Sequence, residues 1–202
     1  FLMNISIVIP AYNEEKTISK VIFDLKNENY NDIIVVDDGS KDNTYKIAES
    51  SGAKVLRHII NRGQGAALQT GISYALLNNA DIIVHFDADG QHNAKEIKNL
   101  TNPILNNQAE ACLGSRFLRK QNMPLSKRIV LKGAVLIIWI MYKIKLTDAH
   151  NGFRAFSRDA AKKVKITSDK MEHASEIVEE IKKKKIKYQE IPVTINYTKY
   201  SI

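Results

Sequence analysis

Short apolar runs alternate along this chain with segments whose apolar residues recur every three to four positions. Ile5–Ile9 is apolar but for Ser6, is ended by Pro10, and reads as a buried strand. Ile18, Val21, Ile22 and Leu25 then fall at i, i+3, i+4 and i+7, the spacing of a helix with one apolar face. Residues 33–36, 53–56, 81–86 and 109–114 predict four further strands. Residues 43–50, 63–77 and 94–106 predict the helices between them, with Gly52 as a stop. Strands that are apolar throughout, rather than alternating, belong in a parallel sheet covered by helices on both faces. Residues 116–202 are less regular. They predict an apolar helix near 128–144, a short segment at 152–156, a helix near 171–185 and a strand at 189–197.

In such a sheet, ligands bind beyond the carboxyl ends of the strands. Three of the predicted strands end in polar clusters there: Tyr12-Asn13-Glu14-Glu15, Asp37-Asp38-Gly39-Ser40 and Asp87-Ala88-Asp89-Gly90-Gln91. Asp87 and Asp89 stand two residues apart, and unpaired carboxylates this close repel each other. A divalent cation resolves the conflict, and hard oxygen ligands suit Mg²⁺ or Mn²⁺, with an amide oxygen from Gln91 as a further donor. A helix N-cap explains the same residues without a metal. Asp38 can accept from the N–H edge of a nucleobase, Tyr12 can stack on one, and Glu14 can accept from a base or a ribose. Each cluster alone could equally be a turn or a helix start.

Together, and in this order, these clusters resemble family 2 glycosyltransferases of the GT-A fold. The resemblance rests on 9–15 (IPAYNEE), 36–40 (VDDGS), 61–63 (NRG), 87–92 (DADGQH) and 114–116 (GSR). Later segments at 148–154 (DAHNGFR), 173–176 (HASE) and 191–194 (IPVT) are similar to the branch of dolichyl- and polyprenyl-phosphate sugar synthases. The resemblance runs from Met3 to about Lys199 and implies an α/β fold, a Rossmann-like, mostly parallel sheet with a mixed C-terminal part. It implies a metal-dependent, inverting transfer of a sugar from a UDP- or GDP-linked donor to a lipid phosphate. Pro10, Tyr12, Glu14, Val36 and Asp38 would form the base pocket, with Asp87 and Ala88 at the ribose and diphosphate. Asp87, Asp89 and Gln91 would hold the metal. Arg116, Lys127 or Arg128 would meet phosphates, and Asp148, Asn151 and Arg154 would stand near the acceptor.

A lipid phosphate acceptor arrives as an anion and needs little help from a base. A sugar hydroxyl, as in polysaccharide synthesis, requires a carboxylate within hydrogen-bond reach. Asp148 and Glu176 are the candidates, so the catalytic set reads Asp89, Arg116, Asp148 and Glu176. A catalytically silent sugar-nucleotide-binding protein is the other alternative on this fold. One departure bears on the acceptor: Asn196 stands where the lipid-phosphate branch usually has Arg, and its following basic segment is absent, so the native chain is expected to continue.

Composition adds less. The 202 residues suit one domain, with 1–115 as the donor half and 116–202 as the acceptor half. Residues 1–115 carry net −4 and residues 116–202 net +12, so the second half is suited to phosphates or an anionic leaflet. The pI near 9.4 comes with no recognisable nucleic-acid module, and no Gly-x-Gly-x-x-Gly follows the first strand, so nucleic-acid binding and dinucleotide chemistry are set aside. A single cysteine, Cys112, in an apolar run, favours the cytoplasm and reads as core. No leader is recognised, and Met3 reads as the start. Of the five histidines none has metal-ligand spacing; His92, beside Gln91, is the one to follow. The apolar stretch at 129–146 is too short to span a bilayer but is flanked by lysines and contains Trp139. It is expected either to lie at the inner face of a membrane or to pack as core or as a homodimer contact.

Overall fold

The computed structural model describes residues 3–119 and 125–196, without the side chains of 125–130, 134, 136 and 138. Seven strands form one sheet in the order β3-β2-β1-β4-β6-β5-β7. They are β1 (Ile5–Ala11), β2 (Ile33–Asp37), β3 (Lys54–Arg57), β4 (Ile82–His85), β5 (Ala111–Ser115), β6 (Arg154–Ser157) and β7 (Tyr188–Pro192). All pairings are parallel except those of β6, which runs antiparallel between β4 and β5. The mixed part expected of the second half is therefore one reversed strand inserted beside the centre of the sheet.

Seven helices connect the strands: α1 (Ile18–Asn27), α2 (Thr44–Ser50), α3 (Gln64–Leu77), α4 (Ile97–Leu105), α5 (Leu125–Tyr142), α6 (Arg158–Lys163) and α7 (His173–Lys183). The period-two geometry of the strands divides the core. Ile7 and Ile9 of β1 pack with α1, α2 and α4 on one face, while Val8 packs with α3, α6 and α7 on the other. Cys112 is fully buried in β5, and burial pushes its thiol up to about 12, which makes it an inert core residue.

Two expectations shift. Pro10 does not end the first strand, which runs to Ala11. Pairing of β4 with β1 stops at Val8 and His85, so on that side Pro10 has no strand partner that needs its missing N–H. The short helix α6 was not expected; it starts at Ser157, whose hydroxyl caps the N–H of Ala160. The last predicted strand is β7, and Tyr197 lies outside the described residues, as do the side chains of Lys127 and Arg128.

Helix α3 lies directly on the sheet at Gly71, where a Cβ would come 2.3 Å from Cγ1 of the fully buried Val8. Gly71→Ala should therefore lower stability by about 1–3 kcal/mol through overpacking, outweighing the roughly 1 kcal/mol that Ala gains over Gly in a helix. Urea unfolding of the two proteins checks this; an equal or raised midpoint contradicts it.

Candidate active site

The ends of β1, β2 and β4 open into one cleft of about 360 Å³, lined by Pro10, Ala11, Tyr12, Glu14, Asp38, Asn61, Gly63, Gln64, Ala67, Asp87, Ala88 and Asp89. Seven of these are residues singled out from the sequence. Val36 is not among them: it is fully buried in the core on the α3 face, one residue short of the strand end.

The acidic turn after β2 divides its work between neighbours. Asp37 accepts the N–H of Ser40 and pairs with Arg57, which shapes the turn. Asp38 faces the cleft and gathers the 58–63 loop, accepting from the N–H groups of Arg62 (3.0 Å) and Gly63 (2.6 Å) and contacting His58 Nδ1 at 2.7 Å. Gly39, at φ +72°, is required here, since a Cβ would fall 2.8 Å from the backbone at Ile60 and Asn61. Glu14 is raised above its ordinary value, by burial first and by the charges of Asp89, Asp42 and Asp87 after the opposing Thr17 hydrogen bond.

The two carboxylates after β4 differ in setting. Asp87 is held on both oxygens, Oδ2 by His92 Nε2 at 2.9 Å and Oδ1 by the side-chain amide of Gln64 at 3.1 Å. Burial pushes its pKa up, but the His92 hydrogen bond and the charge of Arg154 hold it below the ordinary value. Asp89 accepts from the backbone and side-chain N–H groups of Gln91. Burial, together with the neighbouring charge of Asp87, raises it. Among the described residues no group of three or more His, Cys, Asp or Glu side chains is arranged to hold a metal ion. Two carboxylates in mutual repulsion, one of them raised by that repulsion and by burial, fit a hard divalent cation that completes its shell with phosphate oxygens and water. Gln91 is at the site, but it presents its amide nitrogen to Asp89.

On the side of residues 116–202, Asp148 is buried and accepts from Arg116 Nε at 2.6 Å and from the Arg116 N–H at 3.1 Å. Its other oxygen, Oδ1, is buried without a hydrogen-bond partner. Glu190 of β7 fixes this pair by accepting from the N–H groups of Thr147 and Asp148. Two expected acceptor-side residues, Arg154 and Asn151, are buried and hydrogen-bonded within the protein. Arg154 is 3% exposed and donates to the carbonyls of Asn151, Ala149 and Ala174, so it ties the 149–151 loop to α7 from inside. Burial brings it down to about 10, against the pull of Asp87 and Asp148, and it remains a cation beneath the site. Asn151 is buried and caps the N–H of Phe153.

Glu176 is not a free base. It accepts from the N–H groups of Thr167 and Ser168 and from the Thr167 hydroxyl, and it lines a different cleft, between α5 and α7. The loop it holds carries Asp169, whose carbonyl accepts from Gly65 and Ala66 at the start of α3. Residues the sequence reading missed include Gln64, Gly152 and Glu190. Signals lay in the Asn61-Arg62-Gly63 segment next to Gln64 and in the 148–154 segment that contains Gly152.

Residues 6–165 match the family model for glycosyl transferase family 2. The chain is 45% identical over 203 residues to the uncharacterized protein MJ1222 of Methanocaldococcus jannaschii, covering 98% of this chain and 84% of that protein. It is 39% identical over 220 residues to the UDP-N-acetylglucosamine–dolichyl-phosphate N-acetylglucosaminyltransferase of Methanococcus voltae, covering 98% and 88%. In fold it is similar to the glucosyl-3-phosphoglycerate synthase of Mycobacterium tuberculosis solved with Mg²⁺ and uridine diphosphate (TM-score 0.74, 20% identity, 98% of this chain and 72% of that one).

The tie between Glu176 and the 167–168 loop predicts a pH-dependent loss of stability. Burial opposes it, but the Thr167 and Ser168 hydrogen bonds win and lower the folded pKa. The contribution is therefore full above the ordinary glutamate range and fades as pH falls through the lowered value. Glu176→Gln should melt below the parent at pH 7, with the gap narrowing as pH falls below the ordinary glutamate range, and should keep kcat within about tenfold. A loss of the 10²–10⁴-fold typical of a removed general base would reinstate Glu176 as catalytic.

Proposed function

This chain belongs to glycosyl transferase family 2 and is a glycosyltransferase, and on that premise we propose that it transfers a sugar from a nucleoside-diphosphate donor to a polyprenyl or dolichyl phosphate. The observation that carries this reading is the convergence of Tyr12, Glu14 and Asp38 with Asp87 and Asp89 in one cleft. The base and ribose lie at Tyr12, Glu14 and Asp38, and the diphosphate at Ala88 and the two aspartates. Asp87 and Asp89 would hold Mg²⁺ or Mn²⁺, which when bound supplies Lewis-acid stabilisation for charge on the leaving diphosphate. Asp38 keeps the 58–63 loop against the donor, and Gln64 orients Asp87. Attack from the face opposite the leaving group inverts the anomeric centre.

The acceptor assignment follows from the state of the acids. Asp148 is neutralised by Arg116 and Glu176 is committed to a loop, so neither is set up to deprotonate a hydroxyl. An acceptor that arrives as a phosphate anion needs no such base. The M. voltae relative is named for the same pair of substrate classes, a UDP-sugar and a dolichyl phosphate. Transfer to a glycan hydroxyl is the second reading, kept because Asp148 Oδ1 is buried without a partner.

The site also needs access to a lipid. Among the described residues no helix is long and apolar enough to cross a membrane. Helix α5 nevertheless exposes Ile137, Trp139, Ile140 and Met141, and exposed lysines surround it at Lys132, Lys143 and Lys145 and at the end of α7. Trp139 shares a groove with Lys132 and Lys145, while Ile137 and Met141 share a cleft with Glu172, Glu176 and Glu179; the exposed apolar side chains and the lysines suit the headgroup region of an anionic leaflet. We assign α5 to peripheral docking at a cytoplasmic membrane face, with a contact between two copies as the alternative.

Two experiments test these readings. In the first, donor binding is measured across UDP- and GDP-sugars with and without Mn²⁺, followed by transfer to polyprenyl phosphate. Asp89→Ala should abolish turnover and metal-dependent binding while keeping the fold, and a variant as active as the parent would overturn the metal reading. In the second, anionic liposomes should pellet the protein at low salt, with weaker pelleting at high salt and for Trp139→Ala combined with Ile140→Ser. Absence of pelleting would assign α5 to a protein contact.

A further inference from the structure

We infer that His92 is a positioning residue for the donor site, one that locks the carboxylate of Asp87 in place through its Nε2–H; the inference rests on Asp87 being a cation ligand. His92 Nε2 stands 2.9 Å from Asp87 Oδ2, and the imidazole is 3% exposed. The ring has no freedom to leave. It stacks on Phe153, with centroids 4.8 Å apart and planes at 29°, and meets Phe86 edge-on at 5.4 Å. Phe86 and Phe153 in turn pack edge-to-face at 5.3 Å, so the three rings form one block.

The other ring nitrogen fixes which atom carries the proton. Nδ1 is buried without a hydrogen-bond partner among the described residues. A proton there would bury an unsatisfied N–H, whereas a proton on Nε2 leaves a bare lone pair and makes the charge-assisted bond to Asp87. His92 is therefore a fixed donor aimed at one oxygen of a carboxylate.

Two further contacts close the clamp. Gln64 donates to the opposite oxygen, and at Gly152 a Cβ would lie 2.5 Å from Asp87 Oδ2 and 2.9 Å from Oδ1. Gly152 and Phe153 belong to the segment that begins at Asp148, so the acceptor-side loop itself forms one wall of the Asp87 clamp. Among the described residues Asp89 has no comparable frame; it accepts hydrogen bonds from Gln91. This difference divides the pair into a rigid ligand, Asp87, and an adaptable one, Asp89. Hydrogen-bond partners that orient a ligand typically change metal affinity by about 10–100-fold when removed.

The test uses Mn²⁺ and UDP as probes, with free Mn²⁺ followed by electron paramagnetic resonance at fixed UDP. His92→Phe keeps an aromatic ring in the block but cannot donate; it should weaken Mn²⁺ binding at least tenfold while UDP binding without metal stays within about threefold of the parent. His92→Gln places a side-chain N–H near the Nε2 position and should recover affinity to within about threefold of the parent. If His92→Phe fails to fold, His92→Met, similar in length to Gln and without a donor, makes the same comparison. Parent-like Mn²⁺ affinity in the donor-less variant, or equal losses in the Gln and donor-less variants, overturns the inference. Asp87→Asn separates the two readings: if it binds Mn²⁺ like the parent, Asp87 is not a ligand, and the metal reading fails with the inference.

Discussion

Two carboxylates stand two residues apart where β4 leaves the sheet, and the surrounding structure manages their repulsion. Bringing both to a partly buried cleft costs energy unless opposite charge or hydrogen-bond donors compensate. The compensation is uneven. Asp87 receives His92, Gln64 and the field of the buried Arg154, and is held below its ordinary pKa; Asp89 receives its own turn and is raised. The arrangement favours the anionic form of Asp87 and disfavours that of Asp89.

Arg154 shows how far the fold goes to sustain this. A guanidinium enclosed by protein is expensive, and here three backbone carbonyls take its hydrogen bonds. Its strand, β6, is the one that runs against the others, and its register places Arg154 opposite His85 of β4. His85 is fully enclosed, and burial, with Arg154 as a lesser cause, brings it down to about 3, so it adds no second cation. The reversed strand thus delivers a fixed positive charge beneath Asp87.

Several acids outside the cleft act as scaffold. Glu190 anchors Thr147 and Asp148, Glu96 accepts from Arg119 and Thr194, and Glu176 holds the loop that caps α3. Each converts an irregular segment of the basic half into a fixed wall by satisfying backbone or side-chain donors that the loop cannot pair itself. Of the three, Glu96 joins the acidic half to the basic one, while Glu176 and Glu190 act within the basic half.

The first half of the chain was legible in the sequence because its determinants are local. Apolar runs fixed the strands, the i, i+3, i+4 pattern fixed α1, and the polar clusters had to fall at strand ends, so Tyr12, Glu14, Asp38, Asp87 and Asp89 were found as one group. Val36 was misplaced by a single residue of strand phase, and Pro10 was taken for a strand end because its tolerance depends on where β4 stops. In the second half, the functions of Arg154, Asn151 and Glu176 could not be read from their types. A charged residue in a motif looks the same whether it faces a ligand or a buried carbonyl, and only the packing of β6, α7 and the 166–170 loop decides which. His92 drew notice by sequence position alone. That its ring is wedged between Phe86 and Phe153 with Nε2 aimed at Asp87 depends on a contact between residues far apart in the chain, which the tertiary structure alone creates.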